Sequence, residues 1–259
     1  MRFSPFAFIG NKNIPNYLPS GVVVNLWQGN FVNSGTTWTN LVSGNQNATS
    51  VKPMVKQTIN NVTGVYSNNT TSPWFKILHD GIWDASSGYT IMTYMYILPT
   101  GTTTTNYSLW GKQTSSTNGF GLIFTNQPYL QQRNPSDGSG NGQIQTGNIN
   151  QPALYDNIFD KGNWYSYAVA STGKTDGKFY ENGGVTNTSG GTIYTTVTGT
   201  DANNSGNTLN NLYDFTFGLQ QSYGGCPTVT GYLNRLLIFN RRLSDSEVLQ
   251  THNYMKNNP

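Results

Sequence analysis

The sequence has one cysteine, two histidines and two glutamates in 259 residues, and only 10% of its residues are charged. The lone Cys226 excludes an intrachain disulfide, and His79 and His252 are too few for a Cys/His zinc set, so stability must come from a packed core. No stretch approaches the roughly 20 apolar residues needed to cross a bilayer. The apolar start, Met1 to Ile9, is short for a secretory segment and is broken by Pro5 and Asn11-Lys12-Asn13. We therefore expect neither an export signal nor a membrane partner. The net charge of +3 comes from 14 Lys and Arg spread thinly, with Arg241-Arg242 the only basic pair. No stripe exists to neutralise a run of phosphates, and no nucleic-acid partner is expected.

Glycine is abundant (29 residues), aromatics make up 13%, and the polar residues are mostly Asn, Thr, Ser and Gln. Such residues favour strands, turns and loops over helix interiors. The length suits one large β-sandwich, placed at residues 21–259. Before it, residues 1–20 read as an extended arm, since Pro5, Pro15 and Pro19 discourage regular structure. Its aromatics, Phe3, Phe6, Phe8 and Tyr17, need a partner, either the domain's own sheet or a neighbouring protein.

Strand patterns recur along the chain. The first runs from Gly21 to Trp27. Trp74 to His79 is strongly β by side-chain type, and Tyr89 to Leu98 alternates Ile91, Thr93, Met95 and Ile97 against Met92, Tyr94, Tyr96 and Leu98, apolar enough for both faces to be covered. Tyr107 to Trp110 and Phe120 to Phe124 read as a hairpin. Gln127 to Asn150 is polar, and Asn134 to Gly142 has the chemistry of a long exposed loop. Gly162 to Ala170, Gly177 to Gly183 and Leu212 to Leu219 complete the middle.

The end of the chain is the most specific passage. Gly231 to Phe239 reads as a buried strand in which Leu233, Leu237 and Phe239 alternate with Asn234, Leu236 and Ile238. Ser244 with Glu247 makes a capping box, Leu243 and Val248 sit where a hydrophobic staple would, and a helix starts at Asp245. This succession resembles the close of concanavalin A-like (laminin-G-like) jelly-roll domains. The opening, Gly-Thr-Thr-Trp-x-x-Leu-x-Ser-Gly-Asn at residues 35–45, resembles such domains in phage and large-virus structural proteins. Trp27 and Asn40 stand where that pattern often has Asp. The resemblance, which covers residues 21–255, implies an all-β, two-sheet antiparallel jelly-roll sandwich with an N-terminal arm and a short C-terminal helix.

Members of this family divide into enzymes, lectins and structural modules. The laminarinase-type members place two Glu and an Asp at alternate strand positions. Here Glu181 and Glu247 fall in a hairpin and a capping box, and no Gly-x-Ser-x-Gly elbow accompanies a histidine. A non-enzymatic role is expected. Exposed aromatics beside amides suit glycans, and the candidates are Trp38, Asn126, Tyr129, Gln131, Gln220 and Tyr223. Asp80 and Asp84, around Gly81, are the best pair for a structural Ca²⁺, the one cofactor candidate. An outside-type domain with no export signal and an aromatic arm reads first as a virion surface protein, a capsid decoration, head-fibre or tail component. Its partners would be capsid or tail proteins, with self-association a further candidate. The alternative is an adhesion module for host or environmental polysaccharide.

Overall fold

The computed structural model describes residues 18–66, 74–79, 88–98, 107–115, 118–124, 128–133, 141–145, 162–171, 177–181, 193–195, 214–218 and 231–259. The strands are β1 (Val22–Trp27), β2 (Thr37–Trp38), β3 (Ala48–Thr49), β4 (Val55–Ile59), β5 (Val62–Tyr66), β6 (Phe75–Ile77), β7 (Tyr89–Ile97) and β8 (Tyr107–Ser115), continuing with β9 (Asn118–Phe124), β10 (Pro128–Arg133), β11 (Asn141–Gln145), β12 (Trp164–Ser171), β13 (Gly177–Glu181), β14 (Ile193–Thr195), β15 (Phe215–Phe217) and β16 (Gly231–Phe239). A 3-10 turn spans Gln28–Asn30, and helix α1 spans Asp245–Asn257.

Two antiparallel sheets form. Sheet I runs β14-β13-β12-β7-β16-β5-β4, with β1 also paired to β16, and sheet II runs β11-β10-β9-β8-β15-β6-β3-β2. Val24, Leu26, Ile91, Val169, Leu236 and Ile238 of sheet I share one buried cluster with Trp38, Ile77, Trp110, Phe215 and Phe217 of sheet II. The molecule is the two-sheet jelly-roll sandwich that the resemblance implied. The alternation read in β7 holds: Ile91 and Met95 enter this core, while Met92 and Tyr94 join a second cluster on the outer face of sheet I.

Strand β16 departs from its expected alternation. Its register against β7 shifts between Leu233 and Arg235, so Asn234 is an inserted bulge residue. The insertion puts Leu233, Leu236 and Ile238 together in the core and Leu237 and Phe239 on the other face. The Asn234 amide donates to the Thr63 carbonyl of β5 at 2.8 Å. The first half of β16 pairs with β5 and the second half with β1, so the bulge marks the place where one neighbour replaces the other.

The outer face of sheet I is covered at one end by α1. Ser244 and Glu247 form the capping box, and Leu243 and Val248 are buried as the staple. Val248, Tyr254 and Met255 pack with Met92, Ala168, Leu237, Phe239 and Leu18. Arg241 links the chain start to the helix start, donating from Nε to the Ser20 carbonyl at 2.8 Å and from Nη1 to Glu247 at 3.1 Å. This guanidinium, and then the Ser244 donors, hold the Glu247 carboxyl down to about 2. His252 is buried against β12, with Nδ1 2.6 Å from Ser166 Oγ. Burial, and then the charge of Lys256, push its pKa down to about 4.

Toward the other end of the same face, a cross-strand row of aromatics forms. Trp164, Tyr96, Tyr232 and Tyr66 are successive register partners on β12, β7, β16 and β5. The Trp164 N–H donates to the Ile59 carbonyl at 2.9 Å, and the Tyr232 hydroxyl to Gln57 at 2.7 Å. A Cβ on Gly64 would lie 2.7 Å from both Trp164 and Tyr232, so only glycine lets β5 approach the ring. The β4–β5 hairpin, which the sequence reading did not single out, turns on Asn60-Asn61 with φ of 51° and 63°, the geometry of a two-residue hairpin loop.

Candidate functional site

The opening loop is built around Asn40, which is buried. Its Oδ1 accepts from the backbone N–H of Asn25 at 2.9 Å and of Val42 at 3.1 Å, and its Nδ2 donates to the carbonyls of Val23 at 3.1 Å and Gln46 at 3.2 Å. An amide, donor and acceptor at once, meets both needs; a carboxylate would turn two of those contacts into repulsions. The loop is therefore a structural knot.

Trp38 is a correction. It was a candidate sugar platform, yet it is fully buried, packs on Phe31 and Phe75, and donates its N–H to the Trp27 carbonyl at 2.8 Å. A ring with no exposed face offers nothing to a sugar. Of the remaining candidates, Tyr129 and Gln131 fall at alternate positions of β10. Asn126, Gln220, Tyr223, Asp80, Asp84, Phe3, Phe6, Phe8 and Tyr17 lie outside the described residues. Among the described residues no group of three or more His, Cys, Asp or Glu gathers.

The register of sheet II places Gln131 in a longer pattern. One row of partners crosses the whole sheet, namely Thr37, Thr49, Lys76, Thr216, Gly111, Gly121, Gln131 and Gln143. The adjacent row contains Trp110 and Phe217, which are core residues, so the Thr216 row is the one that alternates away from the core. Thr37, Thr49 and Lys76 are exposed, whereas Thr216 and Gly111 in the middle are buried. The Thr216 hydroxyl donates to the Gly111 carbonyl at 3.1 Å. Gly111 and Gly121 stand side by side, so a strip two strands wide carries no side chain at all. At about 4.8 Å per strand the row is roughly 34 Å long. Its one described ion pair, Lys76–Asp214 at 3.5 Å, is half-exposed and contributes little.

A cavity of about 620 Å³ lies beside the start of α1, lined by Lys178, Asp245 and Arg242 among others. Its carboxylate is already engaged: Asp245 accepts from Lys178 at 2.9 Å and from the Tyr180 hydroxyl at 2.7 Å. Those two hydrogen bonds hold the Asp245 carboxyl below its ordinary range, while burial and then Asp245 itself raise the Tyr180 hydroxyl. The arrangement ties β13 to the helix.

No protein-family model matches this chain, and no curated protein does. Solved structures do. Domain 4 of AbnA, a GH43 extracellular arabinanase from Geobacillus stearothermophilus, in complex with arabinotriose, aligns over 88% of this chain and 96% of its own, with TM-score 0.56 and 14% identity. The botulinum neurotoxin type G receptor binding domain aligns over 91% of this chain with TM-score 0.59 and 14% identity. A type C neurotoxin structure, described as dependent on two ganglioside molecules for cell entry, aligns over 91% with TM-score 0.57 and 11% identity. This chain spans about half of the two neurotoxin chains, 51% of each. At such identity the likeness is one of fold: a β-sandwich of two antiparallel sheets.

Proposed function

We propose that this chain is a non-enzymatic glycan-binding module whose ligand lies along the Thr37-to-Gln143 row of sheet II. The observation that carries the reading is that row itself, hydroxyl and amide residue types on either side of two adjacent glycines, in a row long enough for several sugar units. The solved neighbours support it, since one is described with arabinotriose bound and another as dependent on gangliosides. The expected absence of catalysis rests on the two glutamates, of which Glu247 is committed to Arg241 and the helix cap. Binding of soluble neutral polysaccharides, followed by calorimetry and glycan array on the wild type and on Gln131→Ala and Gly121→Val, tests the site. Wild-type binding lost in both variants supports it; no hit, or hits that both variants keep, removes it.

The setting we propose is a virion surface, with residues 1–20 as the attachment arm and capsid or tail proteins as partners. The observation favouring this is where the arm joins the domain. Leu18 packs in the outer cluster of sheet I, and Ser20 and Gly21 are tied to Arg241 and Asn240, so the join and the polar row lie on opposite faces of the sandwich. Attachment through the arm would thus leave the row facing outward. Labelling of intact particles with an antibody to the domain, before and after deletion of residues 1–17, tests this; label retained on the particle after deletion would defeat the arm's role.

A further inference from the structure

The rim of the sandwich between the first loop and β4 carries a second surface. Among the described residues four large hydrophobics are exposed, and three of them, Val32 at 75%, Val51 at 80% and Val55 at 41%, lie on this rim. The rim is held in place. Gly35 N–H donates to the Val32 carbonyl at 2.9 Å, Ser50 N–H to Thr36 at 2.8 Å, and Met54 N–H to Gly35 at 2.9 Å. The Lys56 N–H donates to Asn33 Oδ1 at 2.7 Å, and the Ser50 hydroxyl to the Lys52 carbonyl at 2.6 Å. Val32 and Val51 are thus fixed on turn tips beside Lys52 and Lys56, both available to snorkel.

Charge decides what such a rim fits. Residues 1–79 contain Arg2, Lys12, Lys52, Lys56 and Lys76 and no Asp or Glu, the first acid being Asp80. An isologous contact with a second copy would press Lys52 and Lys56 against their own equivalents, which disfavours self-association. Val32 and Val51 stand out from the loops that precede β2 and follow β3, a shape that suits a deformable apolar layer better than a rigid protein knob. Apolar tips flanked by lysines, in a stretch of sequence that holds no carboxylate, match an anionic lipid surface, where the tips enter the headgroup boundary and the ammonium groups meet phosphates.

We infer that this rim is a peripheral docking surface for anionic lipid. The expectation of no membrane partner rested on the lack of a spanning segment, and no described helix is long and apolar enough to cross; surface contact needs no such segment, and a lipid partner departs from that expectation. The test is co-sedimentation of the full chain with phosphatidylcholine vesicles, with and without about a quarter phosphatidylserine, at low and high salt. Anionic vesicles should capture the protein, with each lysine changed to Gln reducing partition about five-fold. Val32→Ser with Val51→Ser should also reduce it, and high salt should release it. Equal capture by neutral vesicles, no capture by either, or capture unchanged in both the lysine and valine variants overturns the inference. Thermal melts of the variants, expected to match the wild type because these side chains are exposed, keep misfolding from imitating the result.

Discussion

The two outer faces of this sandwich are treated in opposite ways. Sheet I is covered: α1, the staple residues Leu243 and Val248, and the aromatic row from Trp164 to Tyr66 lie over it. Sheet II has a row of threonines, glycines and glutamines and, among the described residues, no helix over it. The difference teaches where to look for function. Apolar covering binds an element of the same chain, whereas the row on sheet II is exposed at Thr37, Thr49 and Lys76 and buried at Thr216 and Gly111, so among the described side chains its polar groups are offered toward β2 and β3.

The contrast can be broken at several points. Trp38→Ala, in the core between the sheets, should cost about 3–5 kcal/mol in chemical denaturation. A much smaller loss would mean that Trp38 is not the core residue described here. Under α1, His252 has a folded pKa of about 4 against an ordinary 6.5. The unfolded chain therefore takes up the proton first, so this stability is full above pH 6.5 and is lost as pH falls toward 4, by up to roughly 3 kcal/mol. His252→Gln should flatten that slope, and an unchanged slope would show that another group titrates.

Asn40→Asp sharpens the loop's role. The carboxylate would face the Val23 and Gln46 carbonyls, at a cost of about 2 kcal/mol at pH 7 that shrinks on acidification. Gly64→Ala, forced against Trp164 and Tyr232, should cost about 1–3 kcal/mol if the aromatic cover is as tight as the geometry has it. On the other face Gln131→Ala should move stability by under about 0.5 kcal/mol while abolishing glycan binding. A large loss of stability there would mean that the row is structural after all.

Much of the framework was legible from side chains alone. Strand β7, buried on both faces, and helix α1, with its cap and staple, follow from patterns complete within a dozen residues. Strand β16 was legible as a strand but not in its facing, because the bulge at Asn234 exists only where β5 gives way to β1. Strands β10 and β11 lie in a stretch whose polarity suggests a loop, since a strand facing away from a core need not be apolar. The β4–β5 hairpin was missed for the same reason, with Asn60-Asn61 the one available signal.

The candidate site was less legible. Tyr129 and Gln131 were named for their chemistry, but the row that gives Gln131 its neighbours joins residues as distant as Thr37 and Thr216, and register is not written locally. Trp38 was misassigned because its surroundings in sequence are polar, while its burial is decided by Phe31, Phe75 and the facing sheet.

What the sequence alone determined is the class of fold, the capped final helix and the poverty of catalytic acids, all properties of residue type and short-range spacing. The tertiary structure alone decided which face is covered, which aromatics are core, and which polar residues share a row. These depend on strand pairing across the whole chain, where a single inserted residue reverses the facing of everything beyond it.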